Sequence, residues 1–578
     1  LAAAPLAGQD PAPEPQGVRP HDFPGPKYAE ILIPAGTHSG LSLVQAHDNR
    51  VPAGRVENGV RVVNLEVQRA DWRIEGPEGP GLRVAAVGEV GGVPSIPAPL
   101  IRATAGTRLR VSVHNRLEAS LHVFGLHARP GEAGSHVTVP GGGTATVEFE
   151  AGAAGTYLYH MVEGDLPPDP PDFFAPERGQ LAGALVVDAA DGSGAEDRLL
   201  VINAVIESVP TDVHPGGFLE AFTINGRSWP YTELLKMEVG RGERWRVVNG
   251  TRLAHPMHLH GFYFDVKSRG TTYADTLYAP AAERSVVTET LDSRSTMLME
   301  WTPTRPGRWI FHCHVTFHVT AEMRLPGAAE SNPAHAHSHM AGLVMGIDVA
   351  PGPSDLIARA EPTAIDLHAK VYGSEVGNEL GFDLSEGPPR PGEVDVPGPL
   401  LVFNQYEPVD VTVHNALGQP TSVHWHGLEL DAWADGVPDW SASDGRMSPS
   451  IPPGESFTYR LSMMRPGTFM YHTHLNDLRQ LTAGLYGPLI VLPPGETFDP
   501  GHDHPRIFGW RTVSPEDDGD IEMNGLGGAQ PDGETTVGET HRFRIMNIMP
   551  DERVGAWVFR DGQATPVRLL AKDGADLP

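Results

Sequence analysis

Cysteine is almost missing from this chain: Cys313 is the one thiol among 578 residues. No intrachain disulfide can form, so a small stapled scaffold is excluded. Long hydrophobic runs are missing as well, and no segment reads as a bilayer-spanning helix. Basic side chains are scarce, with 43 Lys and Arg against 73 Asp and Glu for a net charge of −30. A chain of that sign repels the phosphate backbone, which excludes nucleic acid as an electrostatic partner. Disorder throughout is excluded too, because 40% of the residues are hydrophobic, enough to fill cores.

What is abundant is punctuation. The 66 glycines and 55 prolines suit short strands joined by tight turns far better than helices. At about 150 residues per domain the length predicts roughly three to five domains. The opening LAAAPLAGQDPAPEPQG (1–17) reads as the tail of a secretory signal with a Pro-rich spacer, and equally as a plain linker.

The chain repeats itself. RLRVSVHNRLEASLHVFGLH (108–127) matches PVDVTVHNALGQPTSVHWHGLE (408–429), and PGGGTATVEFEAGAAGTYLYHMV (140–162) matches PGESFTYRLSMMRPGTFMYHTH (453–474). A different pair is VGRGERWRVVNG (239–250) and VGETHRFRIMNI (537–548). The order is therefore A, B, C, D, with A like C and B partly like D. Boundaries follow: an N-terminal extension or linker over 1–55, then A at 56–190, B at 195–350, C at 360–496 and a partial D at 500–578. Apolar alternation in runs such as RVSVHN predicts an all-β chain of tandem two-sheet sandwiches, three complete and the fourth incomplete. HAHSHM (335–340), with His335, His337 and His339, reads as a solvated linker more readily than as a metal trap.

Four histidine clusters stand apart from the rest: HPMHLHG (255–261), HCHVTFHVTAEM (312–323), HWHG (424–427) and YHTH (471–474). On a strand, residues i and i+2 share a face. Each His-x-His therefore aims two imidazoles in one direction, and His312 and His314 face away from Cys313. A thiolate, two imidazoles and a weak thioether, as in Cys313, His255, His318 and Met323, describe a blue-copper electron-transfer site. Zinc is the plainer reading of a Cys/His set, but it has no use for an axial thioether or for eight further histidines.

Together these motifs resemble the copper-binding motifs of the multicopper oxidases, the family of laccases, ascorbate oxidase and ceruloplasmin. The resemblance implies cupredoxin-like Greek-key sandwiches and four coppers. It implies a type 1 copper on His255, Cys313 and His318 with Met323 axial, and a type 2 copper on His258 and His424. One type 3 copper would take His314, His426 and His472, and the other His260, His312 and His474. It also implies O2 as oxidant, reduced to water by four electrons that enter singly from a phenol or a metal ion near His255 or His318. Those electrons would pass through Cys313 to His312 and His314. Asp435, in WADGV, matches an acidic position that relays protons in the family; the bland alternative is a turn residue before Gly436.

The sequence also departs from the family. Unit A has His122, Phe124, His160 and Val162 where C has its four ligands, so A is expected to be scaffold. The HCH segment precedes HWHG, which puts the cluster at a B–C interface within one chain, or between chains as in two-domain oxidases. Thr316 and Val319 stand where many members carry a second carboxylate relay. A copper nitrite reductase and a non-catalytic cupredoxin carrier or copper store are the alternatives, and neither uses all eight cluster histidines. Monomer and homo-oligomer both stay open. The expected location is periplasmic or secreted.

Overall fold

The computed structural model describes residues 30–166, 177–191, 196–208, 218–328, 339–352, 361–374, 377–386, 396–511, 520–527, 538–550, 553–555, 557–560 and 563–578. The first three units each pack two β-sheets face to face, with five to nine strands per sheet in the first two units and four in the third. In unit A the strand Val60–Trp72 shows why: Val63, Leu65 and Val67 are fully buried and alternate with partly exposed neighbours. The period of two puts every second side chain into the core. Four short strands between Leu32 and Glu57 pair with the same nine-stranded sheet.

Unit B stacks an eight-stranded sheet, which includes Glu177–Arg178 of unit A, on a seven-stranded sheet, which includes Ala442–Ser443 and Arg446–Met447 of unit C, around Trp245, Trp309, Phe311, Met257 and Met297. Unit C packs two four-stranded sheets around Val411, Trp425, Tyr459 and Tyr471. The last unit contributes a four-stranded sheet and two small hairpins.

The hairpins that carry the histidine motifs share a register in B and C but not in A. His258 lies opposite His312, and His424 lies opposite His472. In A, His122 lies opposite Val162 and Phe124 opposite His160, a slide of one side-chain period. Phe124 stacks on His160 with ring centroids 4.8 Å apart. Unit A has lost the alignment of these positions along with two of the imidazoles.

Units B and C are locked together. Ala432, Val437 and Trp440 of C are buried members of the B core. The Trp440 indole N–H donates to the Trp309 carbonyl at 3.0 Å and its ring meets Trp229 edge-on at 5.1 Å. The short strand Ala442–Ser443 adds to the edge of Gly307–Cys313, with Ala442 opposite Arg308. This places the strand that carries Cys313 directly beside unit C. Removing the wedge in Trp440→Ala should cost about 3 kcal/mol or more. Scanning calorimetry should then show the B–C transition about 6–12 °C lower; an unchanged midpoint would mean that the junction is held elsewhere.

Candidate metal centres

Two donor sets lie on either side of one strand. His255 begins the strand His255–Leu259, Cys313 ends Gly307–Cys313, and His318 closes the single turn Thr316–His318. Their donor atoms converge: Cys313 Sγ lies 3.7 Å from His255 Nδ1 and 3.5 Å from His318 Nδ1, and the two nitrogens are 3.1 Å apart. Three donors at these separations fit one ion with bonds of about 2.0–2.3 Å. Thr251 Oγ1 holds the far nitrogen of His255 at 2.8 Å, and the Val315 N–H points at Sγ at 3.4 Å. Phe222 covers His318, with ring centroids 4.2 Å apart. Met323 ends the turn Ala321–Met323 and packs against the core that contains Cys313.

The second set is the eight remaining histidines of the four motifs. His258, His260, His312 and His314 come from B, and His424, His426, His472 and His474 from C. They interleave within a single chain. His314, His426 and His472 bring one donor atom each to within 4.8 Å of one another, as do His258, His260 and His312, and His258, His424 and His426. His258 stacks on His426, and His260 on His424, each pair with centroids 4.0 Å apart. His260 Nε2 and His312 Nε2 are 2.9 Å apart. The His474 ring lies 5.3 Å from that of His260 and 5.6 Å from that of His312. Among the described residues, unit A assembles no such group.

Hydrogen bonds behind the rings decide which nitrogen faces inward. The Nδ1 of His258 meets the Val287 carbonyl at 2.9 Å, that of His312 the Cys313 carbonyl at 2.7 Å, that of His424 the Asp435 carbonyl at 2.7 Å and that of His472 the Thr473 carbonyl at 2.6 Å. A carbonyl only accepts, so each Nδ1 carries the proton and each Nε2 keeps its lone pair. The Nε2 atoms of His258, His424 and His472, Nδ1 of His426 and both nitrogens of His474 are buried without a hydrogen-bond partner. Buried polar atoms are normally satisfied. Orphans of one chemical kind on rings that converge fit metal ligation, and imidazole with thiolate suits copper.

Asp435 sits behind the cluster, fully buried. Its Oδ2 pairs with His260 Nδ1 at 2.8 Å and accepts from Ser441 Oγ at 3.0 Å, while Oδ1 lies 3.6 Å from His424 Nδ1. Burial raises its carboxyl to about 7, against the Ser441 hydrogen bond, which lowers it. The next residue must be glycine: Gly436 has φ +91°, and a Cβ there would lie 1.9 Å from the Val423 carbonyl oxygen. The turn reading of this position thus holds alongside the placement against two ring nitrogens.

Other supporting groups carried no sequence signal. Thr288 Oγ1 reaches His258 Nδ1 at 3.0 Å and His426 Nε2 at 3.3 Å. Asp573, near the end of the chain, accepts from the Val287 and Thr288 N–H groups at 3.1 and 2.9 Å. A hydroxyl, a main-chain carbonyl and a carboxylate 285 residues away have no spacing rule by which to be found. At the positions without a second relay, Thr316 and Val319 are both buried, and the Thr316 N–H donates to the Pro550 carbonyl at 2.9 Å.

Two family models, each described as multicopper oxidase, match this chain, one over residues 90–188 and 393–496 and the other over 206–343. The chain belongs to the multicopper oxidase family. Membership implies copper as the metal of these centres. The chain is 40% identical over 105 residues to laccase ustL of Ustilaginoidea virens, covering 18% of this chain and 15% of that one. It is 42% identical over 107 residues to multicopper oxidase MmcO of Mycobacterium tuberculosis, covering 18% and 19%. The matched stretch thus spans under a fifth of these relatives' length. Among solved structures, the blue copper oxidase of Nitrosomonas europaea is similar with a TM-score of 0.36 and 19% identity over 50% of this chain and 86% of that one. The Campylobacter jejuni multicopper oxidase gives 0.33 and 16% over 79% and 98%.

Burial also sets the protonation of the candidate ligands of this multicopper oxidase. It pushes the Cys313 thiol up to about 12 and the imidazoles of His318 and His474 down to about 3 and about 4. An unfolded imidazole takes its proton near pH 6.5, well before the folded one does, so the unfolded chain binds more protons as pH falls. In the copper-free protein this stabilisation is complete above pH 6.5 and is lost on acidification toward pH 4. Melting curves of copper-stripped protein should show the midpoint falling steadily through that window. A flat midpoint would show that these rings already carry protons in the folded chain.

Proposed function

We propose that the chain is a laccase-like oxidase, coupling one-electron oxidation of a small substrate at the His255–Cys313–His318 centre to reduction of O2 to water at the eight-histidine cluster. The observation that carries this reading is the segment His312–Cys313–His314. Its thiol belongs to one donor set and its two flanking imidazoles to the other, and the Cys313 carbonyl accepts the His312 Nδ1 hydrogen bond at 2.7 Å. Covalent bonds and one hydrogen bond therefore join an outer site to an inner one. Met323 would complete the outer site as a weak thioether ligand. His258 and His424 are assigned to type 2 copper, His314, His426 and His472 to one type 3 copper, and His260, His312 and His474 to the other. Bound copper supplies the one-electron redox chemistry, and four ions hold the four electrons that two waters require.

The chain's own groups supply geometry, exclusion of solvent and protons. All eight rings lie in the packed B–C interface, and Asp435 can hold a proton on a carboxylate aimed at His260. On the outer side His318 is 8% exposed and the adjacent Phe317 38% exposed, with Phe222 against the ring. These aromatic surroundings favour a phenol over a metal ion as electron donor. A nitrite reductase or a cupredoxin carrier would leave His472 and His474, buried with orphaned nitrogens, unexplained. A periplasmic or secreted location is proposed with the function. Among the described residues no helix is long and apolar enough to cross a membrane.

Copper analysis of the reconstituted, purified chain should give close to four ions per chain. A value close to one would reduce the protein to an electron carrier. Asp435→Ala should slow O2 reduction by about 10- to 100-fold while the blue type 1 absorption persists. Turnover equal to wild type at equal copper content would remove Asp435 from the mechanism.

A further inference from the structure

The last unit carries three histidines that the copper centres do not use. The strand Asp503–Arg511 runs parallel to Arg542–Asn547, with Asp503 opposite Arg542 and His504 opposite Phe543. His502 and His504 are i and i+2 and share a face; His541 precedes the partner strand and joins them there. The His541 ring lies 5.2 Å from each of the other two and nearly parallel to both.

The hydrogen bonds around this group prepare it for a cation. Asp499 Oδ2 takes the Nδ1 proton of His502 at 2.7 Å, which leaves the His502 Nε2 lone pair outward. His504 Nε2 lies 3.0 Å from His541 Nδ1. With the proton on His541 Nδ1, its Nε2 also keeps a lone pair. That Nε2 is buried without a hydrogen-bond partner and lies 3.7 Å from Glu539 Oε2. The same carboxylate oxygen is 4.0 Å from His502 Nε2. The carboxylate oxygen thus lies within 4.0 Å of both imidazole nitrogens, while the three donors are not gathered within 4.8 Å of one another, so side-chain rotation must close the site. His541 is held at 12% side-chain exposure, while His502 and Glu539, each 47% exposed, are able to rotate onto the ion.

The repeat shows that packing does not require these imidazoles. In unit B the strand Arg198–Ser208 runs parallel to Glu243–Asn249, with Arg198 opposite Trp245. The buried ion pair Asp197–Arg246 at 2.6 Å corresponds to Asp503–Arg544 at 3.0 Å. At the positions of His502, His504 and His541, unit B has Glu196, Arg198 and Glu243. The same strand pair therefore forms with no histidine at all.

We propose that His502, His541 and Glu539 form an additional surface site for a divalent transition-metal cation, with Asp499 and His504 as positioning residues. Two imidazoles and a carboxylate select Cu2+ and Zn2+ over Mg2+ or Ca2+, and Cu2+ most strongly. The site faces solvent and is separate from the buried donor sets, so it captures cation without taking part in turnover.

Zn2+ alone is the probe, because it is redox-silent and copper already fills the buried donor sets of the copper-loaded chain. Equilibrium dialysis with metal analysis is run in a background with His335, His337 and His339 changed to Ala, which removes the other histidine-rich stretch. One Zn2+ per chain is expected beyond the copper. His541→Gln and Glu539→Gln should each weaken its binding at least tenfold, and Asp499→Asn by about tenfold. The copper count and blue absorption of the same samples should not move, which separates this site from the buried centres. Equal Zn2+ uptake by the parent and the His502→Ala/His541→Ala double variant would overturn the proposal.

Discussion

The alternation of side chains along one strand governs this molecule. In Gly307–Cys313 and the residue after it, Cys313 turns to one side while His312 and His314 turn to the other. Because the period of a strand is two, a thiol and two imidazoles adjacent in sequence must enter different sites. The remaining donors are arranged around that fact. His255 and His318 close on the sulfur from within unit B. The histidines of unit C close on the opposite face because C is wedged against the same strand through Trp440 and the edge pairing at Ala442.

Crowding eight imidazoles into a dry interface carries a cost that the fold meets in two ways. Charge is refused: burial and mutual repulsion hold rings such as His258, His260 and His424 well below their ordinary pKa, so they are neutral ligands at neutral pH. Each outward nitrogen that meets a carbonyl is given a fixed partner, which leaves the inward lone pairs unpaired by protein. Such a set is unfavourable without a cation and well prepared for one. Among the described residues one such set forms, where units B and C meet. Unit A keeps the strand pattern but pairs it one side-chain period away, and it fills its ligand positions with Phe124 and Val162.

The unit D histidines show the other side of the same rule. His502 and His504 are an i, i+2 pair much like those of the copper motifs, yet one pair alone is weak evidence in a chain with 27 histidines. Their third member, His541, lies 37 residues away. Only strand pairing brings it beside them.

The sequence alone determined the all-β class, the order of the internal repeats, the four histidine motifs and the loss of two imidazoles from unit A. Each of these rests on local periodicity or on motif spacing, and both survive in a linear string. Asp435 was legible from its place after HWHG, though not its contact with His260. Tertiary structure alone decided that the two halves of the cluster meet within one chain. It also decided that Val287, Cys313 and Thr473 orient ligand rings through their carbonyls, and that Thr288 and Asp573 stand behind them. Main-chain oxygens are the same at every residue, and contacts across hundreds of residues are set by how sandwiches pack. Neither leaves a pattern in the order of side chains.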